Sequence, residues 1–213
     1  MSVKSILFNG DMVRAILDGR KTVTRRKIDI DISNRFDVEI DGKVICYIDQ
    51  ATGDSFKPTD LCRYQPGDIL YIRETWGNWS YNKPESNAVY YQYRADYPNG
   101  AKKYMFDDKH ECDLPKWHPS IHMPKEAARI WLKVTNVRVE RLQDITTDQI
   151  EAEGIETEHP YRPLNGEEKL YAFSQLWEST VKEEDINHYG WESNPFVWVI
   201  EFERCEKPQE VSH

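Results

Sequence analysis

Apolar side chains recur at helical spacing in three stretches of the chain. Residues 11–18 place four of them on one face, and Gly19 follows as a residue suited to end a helix. Thr146 or Thr147 can cap a second short helix, which Gly154 closes. The longest stretch, 167–182, predicts an amphipathic helix whose core-facing residues are Leu170, Phe173, Leu176, Trp177 and Val181.

Alternating and β-branched patterns predict the strands. The segment 27–56 suggests a hairpin around Asp41-Gly42, and 69–76 follows a Pro-Gly turn as a strand. In 128–143 the alternation changes phase near Thr135 and Asn136, as at a β-bulge. Further strands are predicted at 88–94 and at 196–204, the latter half-buried by its alternation.

The order of these elements is helix, several strands, helices and a final strand. Few helices with several antiparallel-looking strands indicate an α+β domain built on a small mixed β-barrel. Residues from about 77 to 120 are polar, aromatic and rich in turns, so they are interpreted as a long insertion in a single domain spanning 1–213.

Composition narrows the class of protein. The chain has 213 residues and a formal net charge of -9, which argues against coating nucleic acid through bulk attraction. No apolar run is long enough for a signal peptide or a membrane span, so a soluble cytoplasmic protein without a membrane partner is expected. The four cysteines, which form no CxxC pair, are expected to be free thiols.

One stretch runs against the acidic balance. Residues 16–27, ILDGRKTVTRRK, carry five cations and two threonine hydroxyls. Such a local concentration can hold a nucleotide or an RNA backbone while the remaining surface stays acidic. It can equally be a solvated charged face.

These elements and motifs resemble the ASCH-domain family of the PUA-like barrels. The resemblance rests on GRKTVTRR, QPGDILYIRETW, LQDITTDQIEAEGI and the terminal FVWVIEF, and covers about 5–76 and 129–204. With WHPSIHMPKEAARI and ESNPFVWVIEF, the chain is most similar to the larger ASCH proteins of tailed-phage genomes. The 77–120 region lies outside a minimal ASCH domain.

The resemblance implies a site. ASCH domains are proposed to bind RNA or nucleosides, and a bacterial branch hydrolyses N4-acetylcytidine to cytidine and acetate. That branch uses a Lys and a Thr in a GRKTxT motif and a Glu before a late glycine. The matching residues here are Lys21, Thr24 and Glu153.

Amide hydrolysis by these residues is chemically reasonable. A desolvated Lys21 could activate the Thr24 hydroxyl, and Glu153 could pair with Lys21 or protonate the leaving amine. Because residues three apart face opposite sides of a strand, Lys21 must still lie in the turn after Gly19. We expect all three side chains to be exposed in a cleft. Without the resemblance, Lys21 is simply a surface cation and Thr24 a strand residue.

Further candidates could bind the ligand. Arg20, Arg25 and Arg26 suit phosphates or base edges, as does Arg73 beside Glu74. Arg73 and Glu74 could instead serve as barrel ion pairs. Trp76, Trp79 and Trp117 could stack on a base or could simply pack in the core.

Metal and cofactor sites are not predicted. His110, Cys112, His118 and His122 are zinc-compatible ligand types, but their spacing matches no compact zinc finger. No phosphate-binding glycine loop is present. Two hypotheses therefore remain: an ASCH protein that recognises RNA or a nucleoside and hydrolyses N4-acylcytidine, or a non-catalytic RNA-binding or protein-interaction module.

Overall fold

The computed structural model describes residues 2–38, 44–80, 89–100, 103–107, 110–113, 116–155, 158–159 and 162–209. It is an α+β structure with a mixed five-stranded sheet and a few short helices, which confirms the predicted class. None of the described helices combines the length and apolar character that a membrane span requires.

Strands outnumber helices in the described residues. The helices are α1 Gly10–Leu17, α2 Ile30–Ser33, α3 Thr147–Ala152, α4 Gly166–Thr180 and α5 Ile186–Tyr189. The strands are β1 Val3–Leu7, β2 Val23–Lys27, β3 Phe36–Val38, β4 Val44–Ile48, β5 Ser55–Phe56, β6 Ile69–Arg73, β7 Trp76–Ser80, β8 Val89–Tyr93, β9 Lys103–Asp107, β10 His110–Asp113, β11 Trp131–Arg141, β12 Glu158–His159, β13 Arg162–Pro163 and β14 Phe196–Cys205.

The described chain divides into two compact units. The first, called the β2–β14 unit, contains Gly19–Asp68 and Lys133–Glu203. The second, called the β1–β6 unit, contains Ser2–Asp18, Ile69–Leu132 and 204–209. The expected organisation as one domain with an insertion stays a prediction.

The five-stranded sheet has the order β1-β6-β11-β14-β2. Strand β1 runs parallel to β6, and β14 runs antiparallel to β2, with Val199 opposite Arg25 and Ile200 opposite Thr24. Among the described residues this order does not close on itself, so the small barrel predicted from the sequence is not shown.

The core of the β2–β14 unit forms between its sheet and two helices. The buried residues are Val23, Leu142, Ile145, Ile150, Phe173, Trp177, Val197 and Val199. The prediction that β14 is half-buried is wrong, because Phe196 to Ile200 are all buried. Val197 and Val199 join this core, while Phe196 and Trp198 pack edge-on against Phe36. An alternating pattern of aromatic and aliphatic residues is therefore compatible with burial on both faces.

Two helices of this unit begin with a capping box. Thr146 and Gln149 form the one at α3, and Asn165 and Glu168 form the one at α4. Gly154 follows α3 with a φ of 80°, as its predicted role requires. Along α4 the predicted stripe is buried only in part, since Leu170 remains 37% exposed.

Strand and turn predictions in this unit can be compared directly. In β11, Thr135 and Asn136 are both exposed and interrupt the alternation, which confirms the predicted change of phase. Strands β3 and β4 pair antiparallel, as the hairpin predicts, whereas the Asp41-Gly42 turn lies outside the described residues. Cys46, Cys62 and Cys205 form no disulfide, and Cys112 is in a segment whose side chains are not described.

The β1–β6 unit has its own core, formed by Ile69, Trp76, Met123, Ala127, Ala128 and Trp131. The single strand predicted for 69–76 is interrupted at Glu74 and separates into β6 and β7. At this break the Glu74 amide donates to Met123 Sδ at 3.2 Å instead of joining a strand ladder. Strand β7 then pairs with β8 within the 77–120 region.

Candidate functional site

Lys21 lies between the turn at Gly19 and the first residue of β2. Gly19 has a φ of 76°, and the regular strand begins only at Val23. Lys21 instead forms an isolated antiparallel β-bridge with Glu153, the residue that caps the end of α3. The next amide, that of Thr22, donates to the Ala152 carbonyl at 2.8 Å. This arrangement meets the condition that Lys21 precede the strand.

Lys21 and Glu153 form a buried ion pair. The Lys21 Nζ donates to Glu153 Oε2 at 2.6 Å and to the Glu153 backbone carbonyl at 2.8 Å. Their side chains are 0% and 5% exposed. Burial lowers the pKa of Lys21 below its ordinary value, although the Glu153 carboxylate acts in the opposite direction. The structure thus brings together two of the three residues that the resemblance implies.

Arg25 joins this pair to helix α3. Its guanidinium donates to Glu153 Oε1 at 3.1 Å, to Gln149 Oε1 at 2.7 Å and to Glu140 Oε2 at 3.2 Å. Glu140 also accepts from Arg138, which extends the chain of alternating charges. A second ion pair of Arg138, with Glu201, lies in the same unit. Charges in this network are satisfied mostly by each other.

Thr24 and Arg26 alternate with Val23 and Arg25 along β2, so their side chains leave the opposite face of the strand. Thr24 is 1% exposed. Burial lowers the pKa of Arg26, while Glu153 and Tyr64 act to raise it. Arg26 nevertheless stays charged, because a guanidinium keeps its proton in proteins.

The expectation that Lys21, Thr24 and Glu153 are exposed in a cleft is wrong, since each is at most 5% exposed. The sequence does not predict this burial, because a lysine and a glutamate in separate segments are each expected at the surface. Once paired with each other and with Arg25, they can be removed from water together.

The flanking cations also have partners. Arg20 donates to the Gly154 carbonyl at 2.9 Å. Lys27 contacts Asp185 at 3.0 Å and lies over the Tyr189 ring, 4.3 Å from its centroid. The basic stretch is therefore held largely by carboxylates and carbonyls of its own unit.

A cavity of about 220 Å³ opens beside this network. Its walls include Thr22, Gln149, Ala152, Arg138 and Glu201. Thr22 and Ala152 are the sequence neighbours of the ion pair, and Gln149 is a partner of Arg25. The side chains of the ion pair and of Thr24 are not part of the wall. A small polar molecule in the cavity would meet the neighbours of the ion pair first.

Three other predicted ligand residues, Arg73, Glu74 and Trp76, belong to the β1–β6 unit. Glu74 accepts two hydrogen bonds from Arg129, at 2.9 and 3.0 Å, and Arg129 also contacts Asp96 at 2.8 Å. Arg73 donates to the carbonyls of Met123 and Ile121. The ion-pair interpretation therefore fits Glu74, whose partner is Arg129 and not Arg73.

Burial shifts two pKa values in this cluster. It raises the pKa of Glu74, although Arg129 acts in the opposite direction. It also raises the pKa of Tyr93 to about 12, and the Arg129 guanidinium lies 4.0 Å from the centre of that ring. Arg129 and Asp96 were not among the residues predicted from the sequence, since nothing in their spacing relates them to Glu74.

The described aromatic candidates for base stacking contact other aromatic rings of the protein. Trp76 is buried and packs against Tyr91 and His118, as the packing interpretation predicts. Trp117 contacts the Tyr97 ring. The side chains of Trp79, His110 and Cys112 are outside the described set. Within the residues that are described, no group of three metal-ligating side chains occurs.

Comparison with known proteins adds little. No protein-family model matches the chain. No curated protein matches it either. A crystal structure described as hypothetical protein PH0355 aligns over 96% of this chain and 100% of its own, with 15% sequence identity and a TM-score of 0.34. A similarity at that score supports no conclusion about fold or function.

Proposed function

We propose that the β2–β14 unit belongs to an ASCH-type, PUA-like protein that binds a nucleoside and hydrolyses the N4-acyl amide of cytidine. The observation that carries the proposal is the contact of Lys21 with Glu153 at 2.6 Å, away from water. These residues come from segments far apart in the chain. Both match the motif of the amidohydrolase branch.

Lys21 has the properties of a proton carrier. Burial lowers the pKa of Lys21, which makes its neutral, proton-accepting form easier to reach than that of an exposed lysine. Glu153 stabilises the protonated form of the same side chain. Gln149 and Glu140 hold Arg25, which in turn holds the second oxygen of Glu153.

The proposed reaction proceeds through Thr24. Neutral Lys21 takes the hydroxyl proton as Thr24 Oγ bonds to the acyl carbon, and the carbon–N4 bond then breaks as the proton passes to the leaving cytidine amine. Water hydrolyses the threonine ester, which releases acetate and restores the hydroxyl. Each step uses general acid or base catalysis around a covalent intermediate.

The size of the cavity favours a free nucleoside over an RNA chain. Ligand pockets for drug-sized molecules measure roughly 300–1,000 Å³. The cavity of about 220 Å³ is smaller, so it suits a base with a short acyl group. Movement of the wall around Thr22 and Ala152 would have to bring the amide to Lys21 and Thr24.

The experiment is turnover of N4-acetylcytidine, measured as cytidine and acetate by chromatography. Wild-type protein should release both in equal amounts. Thr24→Val and Lys21→Arg should lower kcat by ~10²-fold or more, because the first removes the nucleophile and the second keeps the charge but not the proton transfer. Glu153→Gln should slow the reaction strongly.

Matched controls separate chemistry from folding. Lys57→Arg and Thr52→Val change exposed residues of the same unit and should leave turnover unchanged. Circular dichroism must show that each site variant is folded. Absence of wild-type turnover contradicts the proposal. Salt-dependent RNA binding by the same inactive protein would instead support the non-catalytic alternative.

A further inference from the structure

Beyond the proposed function, helix α4 presents a groove that the nucleoside site does not use. Its α4 wall consists of Glu167, Leu170, Tyr171, Ser174, Gln175 and Glu178, each of which has another member three or four residues away, as on one broad helix face. Trp191 forms part of the opposite wall, and the volume is about 380 Å³. The small Ser174 lies at the centre of this helix face, between larger side chains.

The apolar part of the groove consists of Leu170, Tyr171 and Trp191. Tyr171 is 68% exposed and Leu170 is 37% exposed, so both present apolar surface to solvent. Trp191 is half-buried and packs edge-on against Phe173, with ring centroids 6.0 Å apart. One wall is therefore anchored in the core, and the other offers accessible apolar surface.

Its charge has one sign. Glu167, Glu178 and Glu192 are carboxylates, and no lysine or arginine lines the groove in the part of the chain that the structure describes. Glu167 in the first turn is favoured by the helix dipole, but Glu178 in the last turn is disfavoured by it. Its position needs another explanation.

The fold gives one of the two Glu178 carboxylate oxygens a partner. Its Oε1 accepts a hydrogen bond from the Trp191 amide at 2.6 Å. Its Oε2 is buried and has no hydrogen-bond partner among the described residues. A buried carboxylate oxygen without a donor is costly, and it leaves this end of the groove with a negative charge that attracts a cation placed beside it.

We propose that this groove docks a basic, apolar segment of a protein partner, with one arginine or lysine between Tyr171 and Trp191 and aliphatic residues beside Leu170. The cation is attracted by three glutamates and by the faces of two aromatic rings. The helix face from 167 to 178 is ~16 Å long, which matches a short peptide and not a large interface.

The test begins with selection of a random dodecapeptide phage library on the full chain. Enriched peptides should carry arginine or lysine next to leucine, isoleucine, valine or methionine. A synthetic copy of the leading peptide should shift the indole ¹⁵N–H resonance of Trp191, assigned with Trp191→Phe. Replacing its basic residue by glutamine should weaken binding at least ~10-fold.

Variants locate the site. Tyr171→Ala and Glu178→Gln should each weaken the peptide at least ~10-fold. The second variant is informative because a glutamine side chain keeps an acceptor for the Trp191 amide but removes the charge. Tyr90→Ala and Glu183→Gln, outside the groove, should leave affinity unchanged.

Other results overturn the proposal. Those results are no enrichment, enrichment of acidic or purely neutral peptides, or binding that is insensitive to Tyr171→Ala. Sedimentation of wild type and Tyr171→Ala tests whether the groove is occupied by a second copy of the chain. A dimer that forms in wild type and is lost in the variant would assign the groove to that second copy. N4-acetylcytidine turnover is measured in the same variants and should not change, so failure of this proposal is distinct from failure of the nucleoside site.

Discussion

Gln149 accepts a hydrogen bond from the Arg25 guanidinium at 2.7 Å, and the same side-chain oxygen accepts one from the Thr146 amide at 3.1 Å. One atom therefore helps to cap helix α3 and to fix the arginine that contacts Glu153. The start of this short helix and the position of the buried carboxylate are coupled through a single residue.

This coupling makes Gln149→Ala more damaging than an ordinary surface substitution. Loss of the cap costs ~0.5–2 kcal/mol, and loss of a hydrogen bond to a charged group costs ~1.5–3 kcal/mol. We expect the free energy of unfolding in urea to fall by about 2–5 kcal/mol. Gln149→Glu, which keeps the acceptor, should recover most of it. A loss no larger than that of the exposed Gln175→Ala would refute the coupling.

The ion pair predicts a second effect. The Glu153 carboxylate is the largest factor that raises the pKa of Lys21 against the effect of burial. Glu153→Gln removes this charge, so the Lys21 pKa should fall further below its ordinary value. Titration of the ¹³Cε and ¹⁵Nζ resonances of Lys21 measures the shift directly. Glu151→Gln, an exposed neighbour on α3, should leave the Lys21 titration in place.

Glu74 predicts a pH dependence of stability. Its folded pKa is raised above 4.5, so between 4.5 and the folded value the folded protein binds more protons than the unfolded chain. The free energy of unfolding contributed by this residue therefore decreases as pH rises through that window. Below pH 4.5 the cost of burying the ionised Glu74 carboxylate is absent, and above the folded pKa this cost is present in full.

Glu74→Gln should flatten this part of the profile, measured by urea unfolding between pH 4 and pH 7. Glu126→Gln, an exposed glutamate of the same unit, provides the matched control and should leave the slope unchanged. An identical slope in wild type and Glu74→Gln would mean that the carboxyl is not buried as described.

Substitutions of Gly19 test the turn that precedes and positions Lys21. A Cβ built at Gly19 meets no atom within 4 Å, so only its φ of 76° opposes a side chain. Gly19→Ala should cost ~1–2 kcal/mol, and Gly19→Asn less, because asparagine tolerates the left-handed region better. At Gly166, where φ is not positive, alanine should change stability little. Equal effects at both glycines in thermal unfolding would contradict this account.

The sequence predicts local structure better than it predicts which residues contact each other across the fold. Helix ends at Gly19 and Gly154, and the change of phase at Thr135, follow from short-range rules that a sequence displays directly. Burial of β14 on both faces did not follow, because alternation of Phe196 and Trp198 with valines leaves both faces apolar. The break at Glu74 depends on Met123, which is remote in sequence.

The site shows the same division. The motif predicts Lys21, Thr24 and Glu153, and in the structure Lys21 contacts Glu153. The burial of Lys21 and Glu153 does not follow from the motif, because it depends on Arg25, which Gln149 and Glu140 hold in place. A single sequence gives the charged residues but does not show which of them form ion pairs.

The β-bridge of Lys21 with Glu153 also has a consequence during synthesis. Glu153 lies 132 positions after Lys21, so at ~5–20 residues per second the lysine leaves the ribosome roughly 7–26 s before its carboxylate. Until then Lys21 remains hydrated, and the segment that contains it has no ion pair to offset dehydration. The N-terminal half of the unit should thus stay open on the ribosome and close only after α3 has emerged.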